Sequence, residues 1–300
     1  MIEKLGRRFN RWKASPSILN IMYIPVLFLF CLFIVYPLTQ GVKYSFTNWN
    51  GYSAHFKWVG WEKYARIFTD TQALKTIVNT LIYGFGAAIL QNILGMGYAL
   101  ILNGTSRLKT VTRTIIYFPV IISPLIFGYL AYFLFQYNHG AFNDILLLFG
   151  AERLDWLGNG PRAVLLITLV NTFQYVGIAM MVYLAGLQTV SKECLDAAAI
   201  DGANSIQTFF CVTIPLIMPA ITISFVLNLI GGMKLFDGIW ALTMGGPGYA
   251  SHSLSTMMYD TYFARQDAGF AAVLGNLMFV LISTLSISAL VFLRRREVEQ

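Results

Sequence analysis

Long apolar runs alternate with short polar stretches along this chain, and that alternation predicts its elements. Six runs approach the length a membrane demands: residues 18–38, 76–102, 114–135, 163–187, 216–235 and 270–293. A helix rises about 1.5 Å per residue, so about 20 apolar residues cross a hydrocarbon core about 30 Å thick. The predicted architecture is an all-α polytopic membrane protein with six transmembrane helices. Trp12, Tyr23 and Tyr36, before and within the first run, are candidate interfacial anchors. Residues 143–149 read as a short interfacial helix between the third and fourth. Pro119 and Pro124 in the third run, and Pro215 and Pro219 at the start of the fifth, remove helical hydrogen bonds and permit kinks. They are either ordinary membrane-helix prolines or hinges of a gating movement.

One polar interruption, residues 191–219 (SKECLDAAAIDGANSIQTFFCVTIPLIMP), has more internal structure than a plain loop. A short helix over 192–200 runs into Asp201-Gly202, where glycine lets the chain turn with positive φ at little steric cost. A second helix is predicted to begin at Asn204, with Gln207 three residues on as its capping partner. Ile206, Phe209 and Phe210 then share one face. The stretch reads as a helix–turn–helix elbow between the fourth and fifth spans; taken alone, it would be an amphipathic loop helix at the membrane surface.

Composition agrees with the pattern. Of the 300 residues 57% are hydrophobic and 12% charged, against about 25% charged in an average soluble chain, so polar surface is too scarce to cover a globule. The net charge of +7 is explained by where it sits. With both termini cytoplasmic, twelve of the 21 Lys and Arg fall inside and nine outside, the inside set lying in short segments next to span ends. Asp70, Asp144, Glu152, Asp155, Asp237, Asp260 and Asp267 fall outside. The basic charge therefore follows membrane orientation and does not point to nucleic acid. The organisation expected is a basic cytoplasmic tail over 1–17, a transmembrane domain over 18–293 with its elbow at 191–213, and a cytoplasmic tail over 294–300. The first run is too long for the apolar core of a cleavable signal and is expected to stay in the protein.

The middles of the runs hold almost no ionisable side chains, which argues against a proton-coupled carrier. They carry amides instead: Asn79, Gln91, Asn92, Asn171, Gln174, Asn228 and Asn276. Amides in hydrocarbon need partners, either a neighbouring helix or a wet cavity. As a group they suit a pathway for a neutral, hydroxyl-rich solute. His55, His139 and His252 are far apart and have no metal-ligand spacing, and Cys31, Cys194 and Cys211 have neither disulfide nor zinc spacing. No GxxxxGK[ST] loop is present, so the chain does not bind ATP in the P-loop manner. No nucleophile–base pair or metal set supports a membrane enzyme.

Two stretches carry a family resemblance. Asp196-Ala197-Ala198, Asp201-Gly202-Ala203, Gln207, Phe209, Ile214 and Pro215 resemble the EAA loop of bacterial ABC-importer permeases, whose pattern runs roughly EAAxxDGA and on to a Phe and an I-P-like element. Asp196 departs from it, standing where the family usually has Glu, with a side chain one methylene shorter. Farther on, Phe236-Asp237, Trp240, Leu242-Thr243 and Gly245-Gly246-Pro247-Gly248, followed by Tyr259, Phe263 and Gly269, resemble the last external loop of the carbohydrate-uptake members. The similarity is to the maltose F-type, multiple-sugar and glycerol-phosphate A-type permeases, and 58–64 (WVGWEKY) resembles their FVGLxNY segment. There is no room for the extra external domain and two additional spans of the maltose F-type protein, so the compact six-span members are the better match.

The resemblance implies a bacterial inner-membrane, multi-pass permease that takes a carbohydrate, expected to be an oligosaccharide, from an extracytoplasmic solute-binding protein. It implies a heterodimer with a second permease subunit, two copies of an ABC ATPase, surrounding membrane lipid, and no cofactor in this chain, ATP and Mg being held on the ATPase subunits. Glu193, Leu195, Asp196, Ala197, Ala198, Asp201, Gly202 and Ala203 would form the surface coupled to the ATPase. For the sugar, aromatic faces stack and amides pair with hydroxyls, which nominates Tyr175, Asn228, Phe236, Asp237, Trp240 and Asn276; span packing and interfacial belts are the competing roles for each. The Gly245–Gly248 run is either loop punctuation or a contact for the binding protein. Within the family the rival substrate is glycerol-3-phosphate or another polyol phosphate, which would favour a cation in the cavity, with Lys234 the candidate. From another class the rival is an ion-coupled secondary carrier, which leaves the elbow unexplained.

Overall fold

The computed structural model describes residues 16–297, with side chains from Tyr23 onward. Trp12 and most of the basic tail lie outside the described residues. The described chain is helical, with one isolated antiparallel bridge pairing Thr47 with Trp58. Helix α1 spans 16–45 and includes a π-helical turn at Cys31–Val35. It is followed by α2 (Glu62–Thr69), α3 (Thr71–Leu102), α4 (Arg107–Ile121), α5 (Pro124–Phe135), α6 (Ala141–Leu148) and α7 (Gly160–Gln188). Then come α8 (Lys192–Ile200), α9 (Ser205–Leu216), α10 (Met218–Met233), α11 (Asp237–Thr243), α12 (Leu254–Phe263) and α13 (Ala268–Arg294).

Local chemistry fixes the starts. Asp70 caps α3 by accepting from the Gln72 and Ala73 amides at 2.9 and 3.3 Å. Asn159 caps α7, accepting from Arg162 N at 3.2 Å just after Pro161 has set a helical φ. Asp267 caps α13 through Phe270 N at 3.0 Å and is also paired with Lys63 and Arg66, which ties α2 to the start of the last helix.

Among the described residues four helices, in α1, α3, α7 and α13, are long and apolar enough to cross a membrane, and there are up to six crossings if each of two bent pairs is one. The third predicted span is the clearest difference from a straight reading: it is two helices, α4 and α5, inclined at 99°. Pro124 explains the break, because its ring pushes Ser123 into extended backbone (ψ 132°) and then opens α5 at its first turn. The Ile122 carbonyl at the break accepts from Gln174 Nε2 of α7 at 3.3 Å. In the same way α9 and α10 meet at 71° beside Pro215 and Pro219. The predicted Gly-rich segment after the fifth span also contains two helices, α11 and α12, the latter with Leu254 and Met257 fully buried. The short helix expected over 143–149 is α6.

Helix α7 is the most enclosed of the long helices, lying against α3, α4 and α10, whereas α1 is exposed over residues 23–39 and packs on α13 only towards its end. Lipid gives no hydrophobic drive for one helix to join another, so close packing and interhelical hydrogen bonds hold α7 in place. The closest approach is at Gly95 of α3, where a Cβ would lie 2.6 Å from Ala179 Cβ and 2.9 Å from the Met180 amide nitrogen. Around it Ala99, Met180, Tyr183, Leu184, Leu187 and Ile217 form one apolar cluster. A second, nearer the other end of α7, holds Tyr83, Ala131, Ile167, Ile239 and Leu242.

The Gly95 contact is testable against a neighbour on the same helix. Gly95→Ala must push α3 off α7 and is expected to cost about 1–3 kcal/mol, read as a lower unfolding midpoint in detergent. Gly97, with open space around its Cβ position, should tolerate Gly97→Ala with no loss or a gain of up to about 1 kcal/mol.

Candidate functional site

The elbow is built as its residues require. Ser191 caps α8 by accepting from Cys194 N. At the other end Ala203 N donates to Ala198 O at 2.9 Å and Gly202 N to Ala199 O at 3.1 Å, with Gly202 at φ 78°. That is a Schellman closure, which needs a left-handed residue where glycine stands. One residue later a reciprocal capping box opens α9: Gln207 N donates to Asn204 Oδ1, and Asn204 N to Gln207 Oε1, each at 2.9 Å. The turn is thus hydrogen-bonded from both sides, with no flexible linker between the two helices.

Of the residues nominated for coupling, Ala198 is buried and Ala203 is half-buried; Glu193, Leu195, Asp196, Ala197, Asp201 and Gly202 are exposed. Among the described residues the carboxylates of Glu193, Asp196 and Asp201 are in no ion pair. Beside them Ile200 is 86% exposed, Ile206 70% and Phe210 63%, while Phe209 turns half inward and meets Phe210 edge-on at 5.0 Å. The elbow therefore presents an acidic and apolar surface on a turn that is hydrogen-bonded from both sides.

The second region is a cavity of about 370 Å³ among α3, α5, α7, α10 and the start of α11. Four of the six nominated residues line it: Tyr175 from α7, Asn228 from α10, and Phe236 and Asp237 beyond it. Asn228 donates to Ser224 Oγ one turn back at 3.4 Å. Trp240 lies behind Phe236, stacked on its ring at 5.7 Å and edge-on to Tyr259 at 4.9 Å. Asn276 is elsewhere: it donates to Tyr64 Oη at 3.2 Å and lines a wider crevice with Tyr44, Trp49, Tyr259 and Tyr262. Phe236 lines both spaces.

Gln91 and Asn171 complete the cavity and were legible only as span amides. Gln91 Nε2 donates to both the carbonyl and the Oδ1 of Asn171, at 3.1 and 3.3 Å. Asn171 and Tyr175 are four apart on α7, a spacing that puts them on one face. Lys234 also lines the space, so its charged residues are one cation and one anion.

The Gly245–Gly248 loop is held down rather than free. Asn79 Nδ2 donates to the Ala250 and His252 carbonyls at 2.8 and 3.1 Å, and Tyr83 Oη to that of Ser251 at 2.8 Å. His252 is buried beside Tyr249, with Nδ1 3.0 Å from Thr256 Oγ1. Its burial holds the imidazole below its usual pKa, with Asp260 opposing that shift and Arg265 adding to it. Pro247 and Gly248 remain exposed at the tip. Among the described residues no group of His, Cys, Asp and Glu is arranged to hold a metal ion.

Comparison with known proteins gives the family. Residues 91–298 match the family described as binding-protein-dependent transport system inner membrane component. The multiple sugar-binding transport system permease protein MsmF of Streptococcus mutans is 33% identical, over 89% of this chain and 92% of its own length. The trehalose/maltose transport system permease protein MalF of Thermococcus litoralis is 29% identical, over 89% and 90%. In fold, the chain superposes with a TM-score of 0.79 on a chain of a bacterial ABC transporter that imports the acidic polysaccharide alginate, at 22% identity, covering 97% of this chain and 99% of that one. The chain thus belongs to the binding-protein-dependent transport system inner membrane components, the multi-pass permease subunits of ABC importers, whose ATPase is a separate subunit.

Proposed function

We propose that this permease passes a neutral carbohydrate, an oligosaccharide, from an extracytoplasmic binding protein through the cavity at Tyr175, Asn228 and Phe236. The observation that carries the reading is that cavity: amides and aromatic rings face it, and Lys234 is offset by Asp237. Rings stack on the apolar faces of sugars and amides exchange hydrogen bonds with hydroxyls. The relatives' names point the same way, citing multiple sugars, trehalose/maltose, starch degradation products and arabino-oligosaccharides. A polyol phosphate would require an excess of cationic donors, and a single offset lysine is poor support for it.

In this reading α8 and the Gly202 turn dock on an ATPase, Leu195 and Ala197 entering a groove and Glu193, Asp196 and Asp201 making polar contacts at its rim. ATP and Mg belong to two copies of that ATPase, and a second permease completes the membrane part. Both termini face the cytoplasm, which places the elbow beside ATP and the Gly245–Gly248 tip towards the binding protein.

The test is purification of the tagged permease from native membranes, followed by ATP-driven uptake in proteoliposomes supplied with the binding protein. A P-loop ATPase and a second permease should co-purify, and uptake of a neutral oligosaccharide should require ATP. Gly202→Asp forces a side chain into left-handed backbone at a cost of about 1–2 kcal/mol and adds a fourth carboxylate to the docking surface. It should recover at least several-fold less ATPase, with the second permease retained. Purification of the chain alone, together with ion-driven uptake lacking an ATP requirement, would overturn the reading.

A further inference from the structure

The inner cavity contains an acceptor with nothing to accept from. Gln91 is 1% exposed, and its Oε1 has no hydrogen-bond partner among the described residues, although the side chain lines the cavity. Turning the amide over does not remove the problem. Its nitrogen is fixed by two acceptors, the carbonyl and Oδ1 of Asn171, and a flipped Gln91 would set oxygen against oxygen at both. The bond to Asn171 therefore both orients Gln91 and leaves its oxygen free. A buried unpaired acceptor costs stability until a donor arrives; the oxygen is closed to solvent in this state, so a donor in the cavity reaches it only as the surrounding helices move.

We propose that Gln91 is a specificity-determining residue: its Oε1 accepts a hydrogen bond from one particular hydroxyl of the carbohydrate passing through the cavity, with Asn171 as the positioning residue that holds it. The inference rests on the carbohydrate reading above. The ligand group must be a donor, which a hydroxyl is and an ether or phosphate oxygen is not. Tyr175, one helical turn from Asn171, and Asn228 on the facing helix put a ring and a second amide in the same space. One ring of the substrate is thus read at a single hydroxyl here, while the rest of the chain is left to less selective contacts.

A site built to pair with a hydroxyl rejects the analogue that lacks it far more strongly than an apolar pocket rejects an added group. The experiment uses the complete transporter in proteoliposomes. Maltotriose, arabinotriose and diacetylchitobiose are offered first, and then the monodeoxy analogues of whichever is carried. The wild-type transporter should discriminate against one deoxy position by about tenfold or more in kcat/KM. Gln91→Met, similar in size but without the amide, should abolish that discrimination while leaving the ranking of the other positions intact. Co-purification of the second permease and the ATPase with the Gln91→Met variant, in the wild-type ratio, shows that the loss is not misassembly. Equal discrimination in wild type and Gln91→Met overturns the inference, as does a uniform fall for every sugar. If the wild-type complex carries none of the sugars, the carbohydrate reading fails first and the inference falls with it; transport with unchanged selectivity in Gln91→Met sinks the inference alone.

Discussion

The contact between α3 and α7 is the constraint on which the cavity depends. Gly95 brings the two backbones to a separation that no side chain at that position would permit. At that distance the amides can pair across the gap: Gln91 reaches Asn171, and Tyr183 donates to Asn92. Interhelical bonds in membrane proteins average only about 0.6 kcal/mol each, so their value here is in fixing position more than in adding stability. Thr168 and Thr172 donate back to the carbonyls one turn earlier and ask nothing of their neighbours. With α7 immobilised against α3, Asn171 and Tyr175 are presented to the cavity at a set depth.

The same helix runs directly into the elbow. Helix α7 ends at Gln188, Ser191 caps α8, the Gly202 turn leads to α9, and α9 meets α10 at a bend. Tyr175 on one side and Asn228 on the other both line the cavity. The two helices that flank the elbow are therefore two of its walls. A load applied to α8 has a short, rigid route to both, provided the turn between α8 and α9 does not absorb it. The Schellman closure and the capping box supply that stiffness, which gives the sequence Asp201-Gly202-Ala203-Asn204 a mechanical meaning. Packed elements with two discrete arrangements convert such a load into a switch.

Much of this is legible in the residues because the signals are local. Gly202 as a turn and Asn204 with Gln207 as a box are properties of a few neighbouring residues, and both form as read. The helical class follows from run length and from the scarcity of charge. The bend of 99° between α4 and α5 was hidden by continuous hydrophobicity, although Pro124 carried the steric reason for it. What local reasoning could not supply is convergence. Gln91 and Asn171 are eighty residues apart, and only the fold makes them a pair. Asn276 looked equivalent to Asn228 as an isolated amide, but it faces Tyr64 and a different space. Helices α11 and α12 were missed because glycines on either side of them read as loop.

We propose that the elbow moves as one rigid body when ATP acts on the transporter. Nature has left exposed cysteines on either side of the turn, Cys194 in α8 and Cys211 in α9. With Cys31→Ser removing the third, spin labels on these two report the distance across Gly202 within the assembled complex, and electron paramagnetic resonance reads it with and without MgATP. The account predicts a single narrow distance that does not change with nucleotide, while a label on Cys194 paired with one placed at Met244 shifts. A Cys194–Cys211 distance that broadens or changes with ATP would contradict it, because the elbow would then be a joint and not a lever.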